Sequence, residues 1–362
     1  DKKWKEHLKH LRDVQAYVPV LPDTLRVELR DYQEEGFQWL ARLAHWGVGA
    51  CLADDMGLGK TVEALALLVA RAGEGASLVV APTSVCANWI DEAHRFAPTL
   101  NVQRFGDGDR KAMLESIGPF DLIVCSYGLM QQEQELLIPV SWNVIVLDEA
   151  QAIKNRTTKR SKVAMKLEGG FKLITTGTPI ENHLGELWNL FRFINPGLLG
   201  SFERFNNRFA VPIERDQNRE TRTRLKRLIQ PFVLRRVKEQ VLEELPSRTE
   251  ITLRVELSKE ETAFYEALRQ EAVATLEGDG EPAGQKHLRI LAQIMKLRRA
   301  CCNTALVSAD FSLPSAKLEV FGAVVEELLE NRHKALVFSQ FVDHLTLIRE
   351  YLDKKKISYQ YL

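Results

Sequence analysis

The stretch Asp54-Asp55-Met56-Gly57-Leu58-Gly59-Lys60-Thr61 leaves this chain few ways to fold. The apolar run Val48 to Ala53 leads into it, and a helical pattern, Thr61 to Ala72, leads out. Strand, glycine loop and helix in that order are what a phosphate loop needs. The glycines let backbone N–H groups approach phosphate oxygens, Lys60 offers a positive charge to the outer phosphates, and Thr61 offers a hydroxyl to Mg2+. The usual first glycine, five positions before Gly59, is Asp54. Such a loop belongs in a doubly wound parallel α/β sheet that binds ligands at the carboxyl ends of its strands.

The rest of the first half supplies that sheet. Leu78 to Ala81, Val102 to Phe105, Leu122 to Ser126, Val144 to Leu147 and Leu173 to Thr176 read as short buried strands, with helices such as Asn88 to Phe96 between them. After Asn195-Pro196-Gly197 the alternation stops, and a polar, mostly helical insertion is expected as far as about Arg235.

A second apolar unit follows. Ile251 to Leu257 alternates like a strand, Ser258 with Glu261 forms a capping box, and the helix it opens runs to about Leu276, before the breaker Gly278 to Pro282. Leu288, Leu291, Ile294, Met295 and Leu297 mark another helix. Ala335 to Phe338 reads as a last strand, followed by a helix around Leu345 to Leu352 and a stub at Tyr359 to Leu362. One strand and a stub cannot bury two sheet faces, so the sequence is expected to break off inside this second sheet. Trp4, Leu8, Leu11 and Val14 share one face of a leading helix, read as a docking element.

Composition removes whole classes. At 362 residues two compact units are the default. No run of eighteen apolar residues appears and the first residues carry no apolar leader, so a membrane span or visible export signal is not expected. The five cysteines show no C-x-x-C spacing, which points to reduced thiols rather than disulfides or zinc. The 49 basic residues equal the 49 acidic ones, so any nucleic-acid surface must be local. Two basic clusters qualify: Lys154, Arg156, Lys159, Arg160 and Lys162, and the run from Arg219 to Lys238 with Arg222, Arg224, Lys226, Arg227, Arg235 and Arg236. A solvated helix face explains either run equally well.

Two further segments carry chemistry. Val144 to Leu147 ends abruptly in Asp148-Glu149-Ala150-Gln151, where Asp148 would hold Mg2+ through water and Glu149 would orient or polarise the attacking water. Taken alone, two acids after a strand can be surface turn residues. Thr175-Thr176-Gly177-Thr178-Pro179 again sits at a strand end, where a plain turn before a helix capped by Asn182 is the alternative. Cys301-Cys302 beside Arg298-Arg299 reads as packing rather than a reactive pair, and His183 as part of a first helical turn rather than a base.

The order of Leu29-Arg30-Asp31-Tyr32-Gln33, the loop ending in Lys60-Thr61, Val80-Ala81-Pro82-Thr83-Ser84 with Asn88-Trp89, Asp148 to Gln151 and Thr176 to Asn182 resembles the Swi/Snf family of superfamily-two ATPases. Phe232 to Lys238 and Leu336 to Phe341 match its later blocks, so the resemblance spans about Leu29 to the end. It implies a RecA-like ATP-binding lobe over 21–197 with a helical protrusion over 198–236. A linker and second protrusion over 237–315 and the start of a second RecA-like lobe over 316–362 follow, after a helical segment 1–20. It implies ATP and Mg2+ bound through Arg30, Gln33, Asp55, Met56, Gly57, Leu58, Gly59, Lys60 and Thr61, with Gln33 reading the adenine, Asp148 on the metal, and Lys60, Asp148, Glu149 and Gln151 in hydrolysis.

The resemblance also places Thr83, Ser84, Asn88, Trp89, Ser126, Tyr127, Thr178, Arg235 and Arg236 on the path of nucleic acid, or in relaying its presence. It implies a monomeric motor tracking duplex DNA without strand separation, with DNA-bound proteins as its target and no membrane partner. The alternatives are an RNA-directed or polymerase-recycling ATPase and a nucleotide-gated module without turnover. Gln151, where the family commonly has His, favours a bacterial source. That would place the protein in the cytoplasm with the nucleoid, and a eukaryotic source in the nucleus. The family's hydrolytic arginines are expected beyond Leu362, so these residues alone are expected to bind ATP and hydrolyse it poorly.

Overall fold

Strands built from Val, Ile and Leu without alternation belong in the middle of a parallel sheet, because both faces there are covered. The computed structural model, which describes residues 17–177, 183–241, 251–276, 283–308 and 313–361, bears this out. The chain divides into two compact units, Asp1–Pro246 and Ser247–Leu362.

In the first unit the strands are β1 (Ala50–Leu52), β2 (Ser77–Ala81), β3 (Asn101–Arg104), β4 (Asp121–Ser126), β5 (Ser141–Leu147), β6 (Glu168–Thr175) and β7 (Val233–Leu234). They form one sheet in the order β3-β4-β2-β5-β6-β1-β7, every pair parallel. Val79 of β2 lies level with Val124 of β4 and Val146 of β5, all three buried. The main helices of this unit are α1 (Asp31–Trp46), α2 (Lys60–Ala70), α3 (Thr83–Phe96), α4 (Tyr127–Gln132), α5 (Lys159–Ala164), α6 (Leu184–Ile194), α7 (Arg219–Ile229) and α8 (Lys238–Val241).

All six expected strands are present. The expectation that the sheet ends before residue 198 is corrected: after the helical stretch, Val233 and Leu234 return to pair with Cys51 and Leu52. Two residues are too few to show a strand period.

The second unit is described as four helices, α9 (Lys259–Leu276), α10 (Ala283–Ala300), α11 (Ala316–Glu330) and α12 (Val342–Lys354). The Ser258–Glu261 capping box forms, with Glu261 N–H donating to Ser258 Oγ at 3.1 Å and Ser258 N–H to Glu261 Oε2 at 2.9 Å. The strands expected at Ile251 to Leu257 and Ala335 to Phe338 do not form. Leu253 is 58% exposed and Phe338 87%. A strand exists through its ladder, and no partner strand lies among the described residues of this unit. The leading helix with Trp4 and Leu8, the breaker Gly278 to Pro282 and the segment Thr178 to Asn182 lie outside the described residues.

Candidate active site

Strands β4, β2, β5, β6 and β1 are neighbours, so parallel pairing brings their carboxyl ends to one rim. The segments that leave those ends are Ser126-Tyr127, Pro82-Thr83, Asp148-Glu149, Thr176-Gly177 and the phosphate loop.

The loop turns on glycines. Gly59 has φ +88°, and a Cβ there would sit 2.3 Å from the Gln33 amide nitrogen, so only glycine fits. Gln33 is clamped beside it: its Nε2 donates to the Leu58 carbonyl at 3.0 Å, and its Oε1 accepts the Arg30 N–H at 3.0 Å. Tyr32 Oη donates to the same Leu58 carbonyl at 3.0 Å. Lys60 opens α2 and donates from Nζ to the carbonyls of Asp54 at 2.7 Å and Asp55 at 3.2 Å. Met56 and Gly57 are exposed at the loop tip, and Leu58 is buried beneath it.

Asp148 follows β5 and is 8% exposed. Its Oδ2 accepts the indole N–H of Trp89 at 2.8 Å; its Oδ1 accepts the Thr175 hydroxyl and, at 3.0 Å, the Glu149 N–H. Tyr127 Oη donates to the Asp148 carbonyl at 2.8 Å. Three donors on one carboxylate fix its direction. Glu149 has φ +49°, a left-handed conformation that costs a residue with a side chain about 1–2 kcal/mol. Gln151 holds the strained residue: its Nε2 donates to Glu149 Oε2 at 2.7 Å, and its Oε1 accepts the Thr176 hydroxyl at 3.2 Å. Thr176 N–H in turn donates to the Leu52 carbonyl at 3.1 Å, and a Cβ on Gly177 would meet Met56 at 3.4 Å. Thr176 thus joins the acid box to the end of β1, from which the phosphate loop leaves.

Sequence reasoning missed a second network. Asp54 and Glu63 are fully buried, and both are held by Arg236. The guanidinium donates to Asp54 Oδ2 from Nε at 2.9 Å and also from Nη2, to the Tyr32 carbonyl from Nη1, and to Glu63 from Nη2 at 2.8 and 2.9 Å. Burial pushes the Glu63 carboxyl up to about 8, against the pull of Arg236 and with a further rise from Asp54. Gly36 of α1 lies over this pair; a Cβ there would come within 1.9 Å of Glu63 Oε2.

Several expected nucleic-acid contacts are corrected. Trp89 is fully shielded, Tyr127 is 3% exposed, and both are anchored on Asp148, so they position the acid box rather than touch a large ligand. The Arg236 side chain is 11% exposed and bound to two carboxylates, so its guanidinium is turned inward rather than to a surface path. Thr83, Ser84 and Asn88 are exposed on the first turns of α3, Arg235 is exposed after β7, and Ser126 is half-buried, capping α4 through the Leu129 N–H. Thr178 lies outside the described residues. In the basic clusters, Arg156 stacks over the Phe202 ring at 4.1 Å and Lys154 pairs with Glu186 at 3.4 Å, whereas Arg222, Arg224, Lys226 and Arg227 of α7 are exposed. In the second unit Arg298 bonds Gln340, and Arg299 bonds Asp343 and the Leu306 carbonyl. Cys301 and Cys302 are half-buried, and burial raises the Cys301 thiol despite nearby Lys317, the direction opposite to that of an activated thiol. His183 is the residue just before α6.

The family model for the SNF2-related domain matches residues 32–306. A Bacillus subtilis protein whose name gives it as a candidate ATP-dependent helicase/translocase, YwqA, is 37% identical over 346 residues, covering 90% of this chain and 37% of that relative. The ISWI chromatin-remodeling complex ATPase CHR17 of Arabidopsis thaliana is 34% identical over 361 residues, covering 94% of this chain and 33% of its own. The chain therefore spans about a third of these curated relatives. The solved Sulfolobus solfataricus SWI2/SNF2 ATPase core in complex with dsDNA is 34% identical, with a TM-score of 0.61, covering 94% of this chain and 73% of that one.

Proposed function

Because the chain belongs to the SNF2-related family, an α/β ATPase fold of RecA-like type, we propose that it is the nucleotide-binding core of a motor that steps along duplex DNA and remodels proteins bound there without separating strands. The observation that supports this most is the rim itself: Lys60 follows β1 and Asp148-Glu149 follow β5, on either side of β6, where Thr176 bonds both Gln151 and the Leu52 carbonyl at the end of β1. In this reading Lys60 leaves the Asp54 and Asp55 carbonyls for the outer phosphates of ATP, and Glu149 orients the attacking water. Gln33 retains one N–H and one lone pair beyond its present bonds, enough for an adenine edge.

Thr61 and Asp148 would hold Mg2+, which when bound neutralises the outer phosphate oxygens. The donor set fits such an ion: Thr61 offers a hydroxyl and Asp148 a carboxylate oriented by neutral donors, and Mg2+ keeps several waters and binds through one or two carboxylates plus phosphates.

Exposed Thr83, Ser84 and Asn88 at the amino end of α3 suit a DNA phosphate, and Arg235 with the cations of α7 would add salt-dependent attraction. Arg236, the arginine at the phosphate loop, is already committed to Asp54 and Glu63. In this reading a transition-state arginine, worth roughly 10³–10⁵ in rate, is not Arg236, and residues 1–362 alone bind ATP and turn it over slowly.

The test is ATP turnover by the longest natural form of the protein with and without duplex DNA, with RNA as competitor and Lys60→Ala as control. Stimulation by DNA that vanishes in Lys60→Ala supports the reading. Stimulation by RNA alone would move it to the RNA-directed class, and turnover indifferent to both would remove the motor. Brisk DNA-stimulated turnover by residues 1–362 would overturn the slow-hydrolysis part.

A further inference from the structure

We propose that Arg236 is a positioning residue for the nucleotide site, setting the phosphate loop through Asp54 and Glu63 so that ATP affinity depends on it. The inference rests on the functional reading above and goes one residue deeper into it. Lys60 lies between the two carboxylates: its ammonium is on the Asp54 and Asp55 carbonyls, and Glu63 is one turn further along α2. One guanidinium therefore grips the loop before Lys60 and the helix after it. The backbone repeats the grip. Ala53 N–H donates to the Leu234 carbonyl at 2.7 Å, Arg236 N–H to Asp54 Oδ1 at 2.8 Å, and Asp55 N–H to the Arg236 carbonyl at 3.0 Å. The β1–β7 pairing thus continues past the strand ends into the phosphate loop.

This accounts for the departure at Asp54. A phosphate loop ordinarily has glycine there; here an aspartate stands in its place and is tied down by Arg236. Without Arg236, two buried acids lose the donor they share, and leaving buried polar groups without their partner is destabilising. The cheapest relief is for the loop to move and carry its N–H groups away from the phosphate positions.

The test uses the whole chain and three measurements: the affinity of a fluorescent ATP analogue, the affinity for duplex DNA without nucleotide, and thermal melting. Arg236→Gln, folded at the assay temperature, is expected to weaken nucleotide binding by roughly ten- to a hundred-fold, the scale of a site displaced by about 1 Å, and to leave DNA affinity within about twofold. Asp54→Asn keeps the Glu63 contact and should weaken nucleotide less, and adding it to Arg236→Gln should cost nothing more. If Arg236→Gln fails to fold, isosteric Asp54→Asn carries the test with the same pattern. Normal nucleotide affinity in either folded variant overturns the proposal, as does a loss of DNA affinity in place of nucleotide affinity. Lys60→Ala runs in parallel: should it bind nucleotide as wild type does, the functional reading itself has failed. A weak Lys60→Ala beside normal Arg236 and Asp54 variants would remove this inference alone.

Discussion

Two pairs of acids lie at the same rim and are built in opposite ways. Asp148 and Glu149 are adjacent in sequence, Glu149 on a left-handed backbone, and are held by neutral donors: an indole, a hydroxyl, an amide and a main-chain N–H. Asp54 and Glu63 lie on either side of the phosphate loop and are held by a guanidinium, with no exposure at all. Neutral donors orient a carboxylate without cancelling its charge, so the first pair keeps what a metal or a water needs. A guanidinium cancels charge and fixes geometry, so the second pair holds a loop in place. The difference is between acids held by neutral donors and acids held by a counter-charge.

The sharpest blow to that contrast is Glu149→Gln. ATP turnover should fall by about 10²–10⁴, the usual contribution of a positioned proton acceptor, with nucleotide affinity nearly unchanged; equal losses in both would make Glu149 a supporting residue. Trp89→Phe comes next. Asp148 Oδ2 loses its donor in a buried site, which should cost about 1–3 kcal/mol of stability and lower turnover, while DNA affinity without nucleotide stays put. A loss of DNA affinity at unchanged melting temperature would return Trp89 to the nucleic-acid path.

Acidity separates the pairs as well. The Glu63 carboxyl sits at about 8, above the ordinary 4.5. Its contribution to stability is therefore full below the ordinary value and is lost as pH rises through about 8. Glu63→Gln removes this term, so its melting temperature should gain on wild type between about pH 5 and pH 9; a gap that narrows would mean that Arg236 wins over burial. The smallest effect is expected at Gln151→Ala, which cuts one bond to Glu149 and one to Thr176. A loss near 1 kcal/mol, roughly fivefold in turnover, is the scale of one such bond.

The place of Asp148 and Glu149 at a strand end was legible in the sequence, and the meeting of Asp54 and Glu63 was not. Asp148 and Glu149 announce themselves because an apolar strand stops on them, and Lys60 because glycines and a helix bracket it. Arg236 meets Asp54 and Glu63 across 182 and 173 residues of chain, and no local pattern encodes such a meeting. Its place within a basic run suggested a phosphate contact, since charge without burial is all that a sequence shows. Trp89 misled for the same reason: its ring is read easily, its depth is not. Asp54 in place of glycine was the one visible clue, because an acid inside a phosphate loop needs a cation. In the second unit the apolar alternation at Ile251 and Leu336 marks extended backbone, but pairing depends on neighbours that periodicity cannot supply.

For anyone engineering a hardier version of this protein, Gly36 is a trap. A glycine inside α1 invites replacement by alanine, a swap that ordinarily gains about 1 kcal/mol in a helix. Here the added methyl would land 1.9 Å from the Glu63 carboxylate and 3.0 Å from Arg236 Nη2, so the gain in helix propensity would be set against the brace under the phosphate loop. A library screened for heat resistance alone could therefore select chains that survive boiling and no longer hold nucleotide.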